Sequence, residues 1–507
     1  MSINFKALIV VLVIAATIFR LGKSVALTFS SEQDFSRRRN IWLVLTVTAF
    51  VSPSFWLFVL VAAPLLAWAG RKDSNPVALY LLLLHVIPPI PVTIPVVGIK
   101  ELFSLDNYRL LSFCVLIPTA WRLRKTQDAE HIRGLGAMDF LLLGFGVLQL
   151  VIYVPPDLPD HSILLDSPTN VLRRAFLFFV DIYVLYYVIS RFCCRRGAMT
   201  EALAMFCLSS AIMAALAVFE TLRTWLLYGG LSRNWVEYAA YGSLSDFYYF
   251  RGGLLRAQAS AGHALSLGYL IAIALGFWLY LRSRVKSARS RIAVTLVLLL
   301  GLLATQSRGP WMGAVVIYFA FSALGPRVLP RLTKAAFSGL LLAGVLSLTP
   351  IGEKFMNVLP FIKHSTQDES VDYRQRLAGR SWELIQQHPF FGDPLATVKM
   401  EDLRQGEGII DIVNAYAGVA LYYGFAGLSL FVGLMLVGLF KAYRRMKEMA
   451  RIDLDFASLG ACLVACILGT LFTIGTASLL NGFEKIFYVL TGLAAAYAYR
   501  GRLPKQR

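Results

Sequence analysis

The chain has 507 residues, of which 57% are hydrophobic and 16% are charged, and its formal net charge is +19. Soluble domains usually carry about 25% charged residues, so this composition excludes an ordinary soluble protein. The basic residues fall in short clusters between apolar runs, as in the cytoplasmic loops of membrane proteins, which argues against nucleic acid as a partner. Because the 6 cysteines and 6 histidines show no metal-ligand or disulfide spacing, we expect no metal and no cofactor.

The apolar runs predict an all-α fold, a polytopic transmembrane helical bundle of roughly fourteen spans. Phe5 to Ala26 can form the first span, and residues 41–69 form either one kinked helix or a hairpin that turns at Ser52-Pro53-Ser54. These two alternatives give different orientations for the first 75 residues. Further spans are predicted at residues 77–97, 110–121, 138–154, 176–192, 202–227, 264–281, 292–304, 311–324, 336–348, 415–440, 457–474 and 487–499.

The basic clusters fall on alternate loops, which predicts that residues 229–263, Arg308 and residues 352–411 share the non-cytoplasmic face. We divide the chain into N-terminal transmembrane helices (1–249), a core with arginine-bearing segments (250–440) and C-terminal transmembrane helices (441–507). The core includes the long polar loop 352–411.

The turn from Thr305 to Trp311 lies between two uncharged apolar runs and carries Arg308. A guanidinium between such runs is costly unless it lies at the membrane surface or in a wet cavity, so it is a candidate functional group. Gly309 and Pro310 favour a sharp reversal that would hold Arg308 at one face of the membrane. The alternative is a snorkelling arginine that only marks a helix end.

Two other segments on the same face carry arginines. Residues 250–263 place Arg251, Arg256 and His263 in a Gly/Ala-rich approach to a helix, where an anion can come close to the backbone. In the long loop, residues 372–385 predict an amphipathic helix lying on the membrane, with Leu377, Leu384 and Ile385 on one side and arginines on another. The arginines of that helix include Arg376 and Arg380, and His388 follows it.

Arginines that converge from different helices suit a diphosphate, because guanidinium groups bind phosphate oxygens bidentately and keep their charge. A polyprenyl-diphosphate sugar could donate its glycan there without a metal if arginines stabilise the leaving diphosphate. Transfer also needs a base for the acceptor hydroxyl, for which His263, His388, Glu407 and Asp411 are candidates.

Four motifs resemble those of the O-antigen ligase and polymerase superfamily. The turn Ser307-Arg308-Gly309 is similar to its "SRG" element, and Arg256 followed by Gly262-His263 resembles its arginine and helix start. Trp382, Ile385 and the run His388 to Gly392 resemble its "W…I…HP" element. Asn414-Ala415-Tyr416, followed by Gly424 and Gly427-Leu428, resembles the start of its last motif helix.

The resemblance implies a GT-C-type membrane glycosyltransferase of the bacterial inner membrane, multi-pass, with its active face in the periplasm. The implied donor is an undecaprenyl-diphosphate-linked glycan, and other partners are the lipid bilayer and a chain-length regulator or other polysaccharide assembly proteins. Arg256 and Arg308 match the arginines that hold the diphosphate, and Arg251 is added to them here. His263, Arg376, Arg380 and His388 are candidate substrate residues.

One position departs from the family pattern. Ligases carry a histidine just before the motif asparagine, where this chain has Val413, which cannot move a proton. Asp411, two residues earlier, could serve instead, or the mechanism could lack that base, and Asp411 and Asn414 are the candidate catalytic residues. The departure favours a polymerase of O-antigen or exopolysaccharide repeats. The alternatives are a ligase to lipid A-core that has replaced its histidine, and a lipid-linked glycan flippase without chemistry.

Overall fold

The structure is a computed structural model, and it describes residues 3–94, 102–125, 135–152, 168–235, 248–251, 253–325, 365–404, 410, 412–478 and 482–499. Nearly all of its regular elements are helices, and the only strands among the described residues form two short ribbons. The all-α, polytopic prediction is confirmed.

The N-terminal helices are α1 (Ile3–Ala26), α2 (Glu32–Val51), α3 (Phe55–Lys72), α4 (Pro76–Leu83), α5 (Asn107–Leu111), α6 (Ile117–Lys125), α7 (Ala137–Ile152), α8 (Pro168–Phe178), α9 (Val184–Phe192), α10 (Arg196–Arg223) and α11 (Gly229–Trp235). The remaining helices are α12 (Ala264–Leu281), α13 (Ala288–Ala304), α14 (Arg308–Leu324), α15 (Ser365–Gln387), α16 (Ala415–Met449), α17 (Leu454–Ile474) and α18 (Phe483–Tyr499). Single π-helical segments, Ser112–Leu116 and Phe179–Tyr183, join α5 to α6 and α8 to α9. The strands β1 (Val92–Thr93) and β2 (Ser104–Leu105) pair antiparallel, as do β3 (Phe250–Arg251) and β4 (Leu254–Leu255).

Seven helices of the described part are long and apolar enough to cross a membrane. They are Ile3–Ala26, Phe55–Lys72, Asn170–Phe192, Arg196–Arg223, Ala264–Arg284, Ala415–Met449 and Leu454–Ile474. The chain is therefore a multi-pass membrane protein, while the total of roughly fourteen spans stays a prediction. The predicted span 336–348 lies outside the described residues.

Two sequence interpretations are decided near the N-terminus. Residues 52–54 separate α2 from α3, which pack against each other, so this segment is a hairpin and not one kinked helix. The predicted span at 77–97 is wrong, because its helix ends at Leu83 and the chain then runs through turns into β1. Pro88 and Pro89 account for the early end, because proline cannot donate the backbone hydrogen bond that a helix needs.

One end of the bundle collects the segments that the motifs singled out. Helix α13 ends there and α14 begins there, and Ala257 donates a backbone hydrogen bond to Ala304 at 3.2 Å. Helix α16 begins at the same end, where the backbone N–H of Ala415 donates to the carbonyl of Ala477 at 3.1 Å. Ala477 lies just after the end of α17. We call this end, which carries Arg256 and Arg308, the arginine end.

The long polar segment forms a small core of its own. The amphipathic helix predicted in residues 372–385 is part of α15, and its apolar side is made of Leu377, Leu384 and Ile385, as predicted. These side chains, which were expected to face the membrane, pack on protein instead. Their buried partners are Ala396, Met400, Leu403, Ala420 and Leu421, the last two from α16.

Candidate functional site

The site is built on the turn between α13 and α14. Ser307 precedes the first residue of α14, which is Arg308, and the backbone of Gln306 has a positive φ of 48°. Such a conformation costs a residue with a side chain about 1–2 kcal/mol and persists only where the surroundings hold it. The side chain of Gln306 does this by donating to the carbonyl of Leu255 at 3.1 Å. The turn is therefore fixed against the neighbouring loop.

The loop that carries Arg251 and Arg256 is joined to this turn by hydrogen bonds. The guanidinium of Arg251 donates to the carbonyl of Gln306 at 2.7 Å, and that of Arg256 donates to the hydroxyl of Ser307 at 3.1 Å. In addition, the Thr221 hydroxyl lies 3.1 Å from the carbonyls of both Leu255 and Ala304. Arg256 and Arg308 are far apart in the sequence. The fold nevertheless places the guanidinium of Arg256 beside Ser307, the residue that precedes Arg308.

A buried acid, Glu220, accepts hydrogen bonds from the backbone of the same loop. Glu220, near the end of α10, is 0% exposed. One carboxylate oxygen accepts from the backbone N–H of Leu227 at 3.0 Å, and the other accepts from Gln258 at 3.0 Å and Ala259 at 2.8 Å. Ala259 also has a positive φ of 44°, so these bonds stabilise a second strained residue. The sequence signal was a lone acid in an apolar helix, to which sequence analysis gave no role.

Four arginines converge at the arginine end. Burial, followed by the charges of Arg256, Arg308 and Arg374, lowers the pKa of Arg251 to about 10. Burial also lowers the pKa of Arg256, although Tyr249 opposes this shift. The charged neighbours that shift the pKa of Arg251 are thus all arginines. Their positive charges are held close together where water only partly screens them. An anion with several oxygens would relieve this repulsion.

Other buried arginines of this protein are neutralised by acids. Arg38 is 0% exposed and pairs with Asp73 at 2.6 Å and with Glu201 at 2.8 Å. Arg191 pairs with Asp139 at 2.6 Å. In the described part of the chain, no carboxylate pairs with Arg251 or Arg256. Arg251 and Arg256 are only partly exposed, and a partly buried charge without a counterion is costly, so this arrangement favours a site for an external anion.

His263 lies beside the arginines as the N-cap of α12. Its Nδ1 accepts from the backbone N–H of Leu265 at 3.2 Å, and its ring meets that of Tyr249 edge to face at a centroid distance of 6.3 Å. Burial, followed by the charge of Arg256, lowers the pKa of His263 to about 4. The imidazole is therefore neutral near pH 7 and can accept a proton only weakly.

The arginines of α15 point towards different parts of the protein. Arg374, which the sequence analysis did not select for the site, is the one whose charge reaches Arg251. Arg380 instead pairs with Glu383 at 2.7 Å and donates to the carbonyl of Lys399 at 3.2 Å, while Arg376 is exposed. His388 is exposed at the end of the helix. Helical spacing alone could not choose among these arginines, because that choice depends on how α15 docks.

The two candidate catalytic residues are Asp411 and Asn414. Asp411 and Glu407 lie outside the described residues. Asn414 is the N-cap of α16, where its side-chain oxygen accepts from the backbone N–H of Tyr416 at 2.9 Å and of Ala417 at 3.3 Å. In the described ranges, no group of three or more His, Cys, Asp or Glu side chains is arranged to hold a metal ion.

Comparison with known proteins agrees with the region of the motifs. Residues 293–432 match the family model described as O-antigen ligase. This match includes the turn with Arg308, the amphipathic helix α15 and the start of α16. It begins at residue 293, so it does not include Arg256. A search of curated proteins found no match.

Proposed function

We propose that this chain, whose residues 293–432 match the O-antigen ligase family model, polymerises undecaprenyl-diphosphate-linked oligosaccharide repeats into O-antigen or exopolysaccharide. Members of this family are enzymes that transfer glycans. The observation that carries the proposal is the convergence of Arg251, Arg256, Arg308 and Arg374 in a place where Arg251 and Arg256 have no acidic partner among the described residues.

In the proposed mechanism, the arginines hold the donor's diphosphate and the polyprenyl tail lies between helices. When the acceptor hydroxyl attacks the first sugar of the donor chain, the bond from that sugar to the diphosphate breaks and its electron pair stays on the diphosphate. Fixed guanidinium groups stabilise the charge that develops there, so the reaction needs no metal. We propose that this face of the bundle is periplasmic and that the membrane is the bacterial inner membrane.

Substitution of Arg308 tests the proposal. We expect Arg308→Ala to abolish chain extension while the protein remains in the membrane at its normal level. We expect Arg308→Lys to restore little activity, because an ammonium group cannot bind two phosphate oxygens as a guanidinium does. Full-length glycan made by cells with Arg308→Ala would contradict the proposed mechanism.

A ligase that transfers finished glycan to lipid A-core is the second candidate, and the description of the matching family model favours it. Val413, at the position where ligases carry a histidine, favours the polymerase. Deletion of the gene separates the two candidates. Single repeats left on the lipid carrier would indicate a polymerase, and long chains stranded on the carrier would indicate a ligase.

A further inference from the structure

A second polar cluster lies at the arginine end, between α5, the π-helical segment before α9 and the start of α18. Asp181 pairs with Arg109 at 3.0 Å and with Lys485 at 2.9 Å. Asp106 caps α5 by accepting from the backbone N–H of Arg109 at 2.8 Å. The fifth member is Glu484, the second residue of α18. We call these five residues the Glu484 cluster.

Glu484 differs from the other two acids of the cluster. Both Asp181 and Asp106 are engaged in the bonds given above, whereas no described residue donates a hydrogen bond to the carboxylate of Glu484. It lies within electrostatic range of Lys485, Asp181 and Arg109 and is partly accessible. An acid that holds helices together normally accepts hydrogen bonds from them. The carboxylate of Glu484 can therefore accept a hydrogen bond from another group.

Two buried polar groups next to the cluster are also unsatisfied. The Tyr108 hydroxyl and the Nδ1 atom of His85 have no hydrogen-bond partner in the described part of the chain, although these residues are only 3% and 2% exposed. The Tyr108 hydroxyl lies against Gly482, and the Tyr108 and His85 rings are 6.0 Å apart. Unpaired buried polar groups are costly, and a water molecule or a ligand hydroxyl beside them would supply the missing hydrogen bond.

The cluster lies at the same depth as Arg308. A Cβ at Gly268 of α12 would be 3.0 Å from both Pro310 and Thr305, so this part of α12 touches the start of α14. The next residue, Tyr269, stacks on Phe483 of α18 with a centroid distance of 3.8 Å. The starts of α14 and α18 therefore both contact the same turn of α12, at the same end of the bundle.

We propose that Glu484 is the base that accepts the proton of the acceptor's sugar hydroxyl, and this inference rests on the proposed function. The hydroxyl oxygen forms the new bond to the donor sugar, the bond from that sugar to the diphosphate breaks, and the proton moves to the Glu484 carboxylate. Burial raises the pKa of Glu484, which strengthens the carboxylate as a base, and the charge of Asp181 adds to this shift while Lys485 and Arg109 oppose it.

The test uses the full-length protein in lipid nanodiscs, with a synthetic undecaprenyl-diphosphate oligosaccharide for transfer and undecaprenyl diphosphate for binding. We expect Glu484→Gln to lower the transfer rate about 10²-fold or more while the affinity for undecaprenyl diphosphate stays unchanged. Glu484→Asp should retain part of the rate. The control is Glu448→Gln, which removes an exposed carboxylate at the other end of α16 and should transfer normally.

The pH profile gives a second readout. Wild-type transfer should fall at acid pH as the base becomes protonated, and the residual rate of Glu484→Gln should lack this fall. The other charged and titratable groups that face Glu484 are Lys485 and Tyr488 of α18, Arg109 of α5 and Asp181 of the π-helical segment. Asp106→Asn should keep the fall, which separates Glu484 from another acid of the cluster.

Several results would overturn the assignment. The first is transfer by Glu484→Gln within about tenfold of the wild-type rate. The second is loss of undecaprenyl diphosphate binding by Glu484→Gln while the protein stays folded. The third is an acid limb, the fall in transfer at acid pH, that is unchanged in Glu484→Gln. A loss of that limb in Asp411→Asn, with normal transfer by Glu484→Gln, would give the role to Asp411. The proposed function fails separately, when Arg308→Ala still binds undecaprenyl diphosphate and transfers glycan.

Discussion

Gly392 and Gly424 lie backbone against backbone, where the turn after α15 enters a kink in α16. A Cβ at Gly392 would be 2.6 Å from the backbone nitrogen of Gly424, and a Cβ at Gly424 would be 2.3 Å from the carbonyl carbon of Phe390. The kink frees backbone N–H groups of α16, and Phe425 uses one to donate to the Pro389 carbonyl at 2.7 Å. Two motifs that are separate in the sequence thus form one joint.

We expect Gly424→Ala to lower both stability and activity. Gly424 has φ 60° and ψ −167°, a conformation that is essentially restricted to glycine, and the added methyl group would overlap Phe390. The strain and the overlap together should cost about 2–4 kcal/mol in free energy of unfolding. A thermal unfolding curve of the protein in detergent measures this change.

The matched control is Gly418→Ala in the same helix. The nearest atom to a Cβ at Gly418 is a methyl group of Ile412 at 3.8 Å, an ordinary contact, and alanine favours helix. Gly418→Ala should therefore be as stable as the wild type or more stable. Equal unfolding temperatures for the two variants would show that the joint does not depend on Gly424.

The sequence predicted helices well where apolar runs are bounded by clear signals. The prediction of 264–281 coincides with α12, because His263 caps its start and a basic cluster follows its end. It failed at 77–97, where hydropathy suggested a span and prolines ended the helix. Hydropathy records how apolar a segment is and does not record whether its backbone can stay helical.

Parts of the site also followed from the sequence. Arg251, Arg256 and Arg308 stand out as charges in apolar or glycine-rich surroundings, and the structure brings them together. Arg374 could not be selected, because Arg374 and Arg376 differ only in the direction in which α15 presents them. Glu220 acts on the backbone of a loop distant in sequence, so its role depends on tertiary contacts that no local pattern encodes.

We expect Arg374→Gln to weaken donor binding more than Arg376→Gln. Both substitutions remove one positive charge from the exposed side of α15, but only the charge of Arg374 reaches the arginine cluster. The loss should raise the KM for the lipid-linked donor about 3–10-fold, since an exposed charge contributes about 1 kcal/mol. Steady-state transfer assays at low and high salt measure the effect, which should shrink as salt rises.

Arg376→Gln serves as the control for net charge. If both variants raise KM equally, the positive field of α15 acts as a whole and Arg374 has no special position. If neither variant changes KM, the donor does not reach this helix.

We expect Glu220→Gln to loosen the loop that carries Arg256. The two oxygens of Glu220 accept backbone bonds on opposite sides, from Leu227 and from Gln258 with Ala259. A glutamine has one oxygen, so its amide group would face a backbone N–H on the other side. A buried backbone N–H left without a partner costs about 1–3 kcal/mol, and the variant should unfold at lower temperature and bind undecaprenyl diphosphate more weakly.

Thr221→Val gives a graded comparison at the next position, because it removes a hydroxyl between the Leu255 and Ala304 carbonyls without adding a donor. Its effect on both measurements should be smaller than that of Glu220→Gln. Normal donor binding by Glu220→Gln would show that the loop keeps its position without the acid.

We expect His263 to make the protein less stable as the pH falls. Its pKa is about 4 in the folded protein, whereas an unfolded histidine has a pKa of about 6.5. Between these values the unfolded chain binds more protons, so the stability that neutral His263 contributes is present above about pH 6.5 and is lost as the pH falls towards 4. His263→Asn keeps a good N-cap without this titration, so its unfolding temperature should fall less between pH 7 and 5. The exposed His388 supplies the control, because His388→Asn should follow the wild-type pH dependence, and an identical pH dependence for His263→Asn would contradict this role.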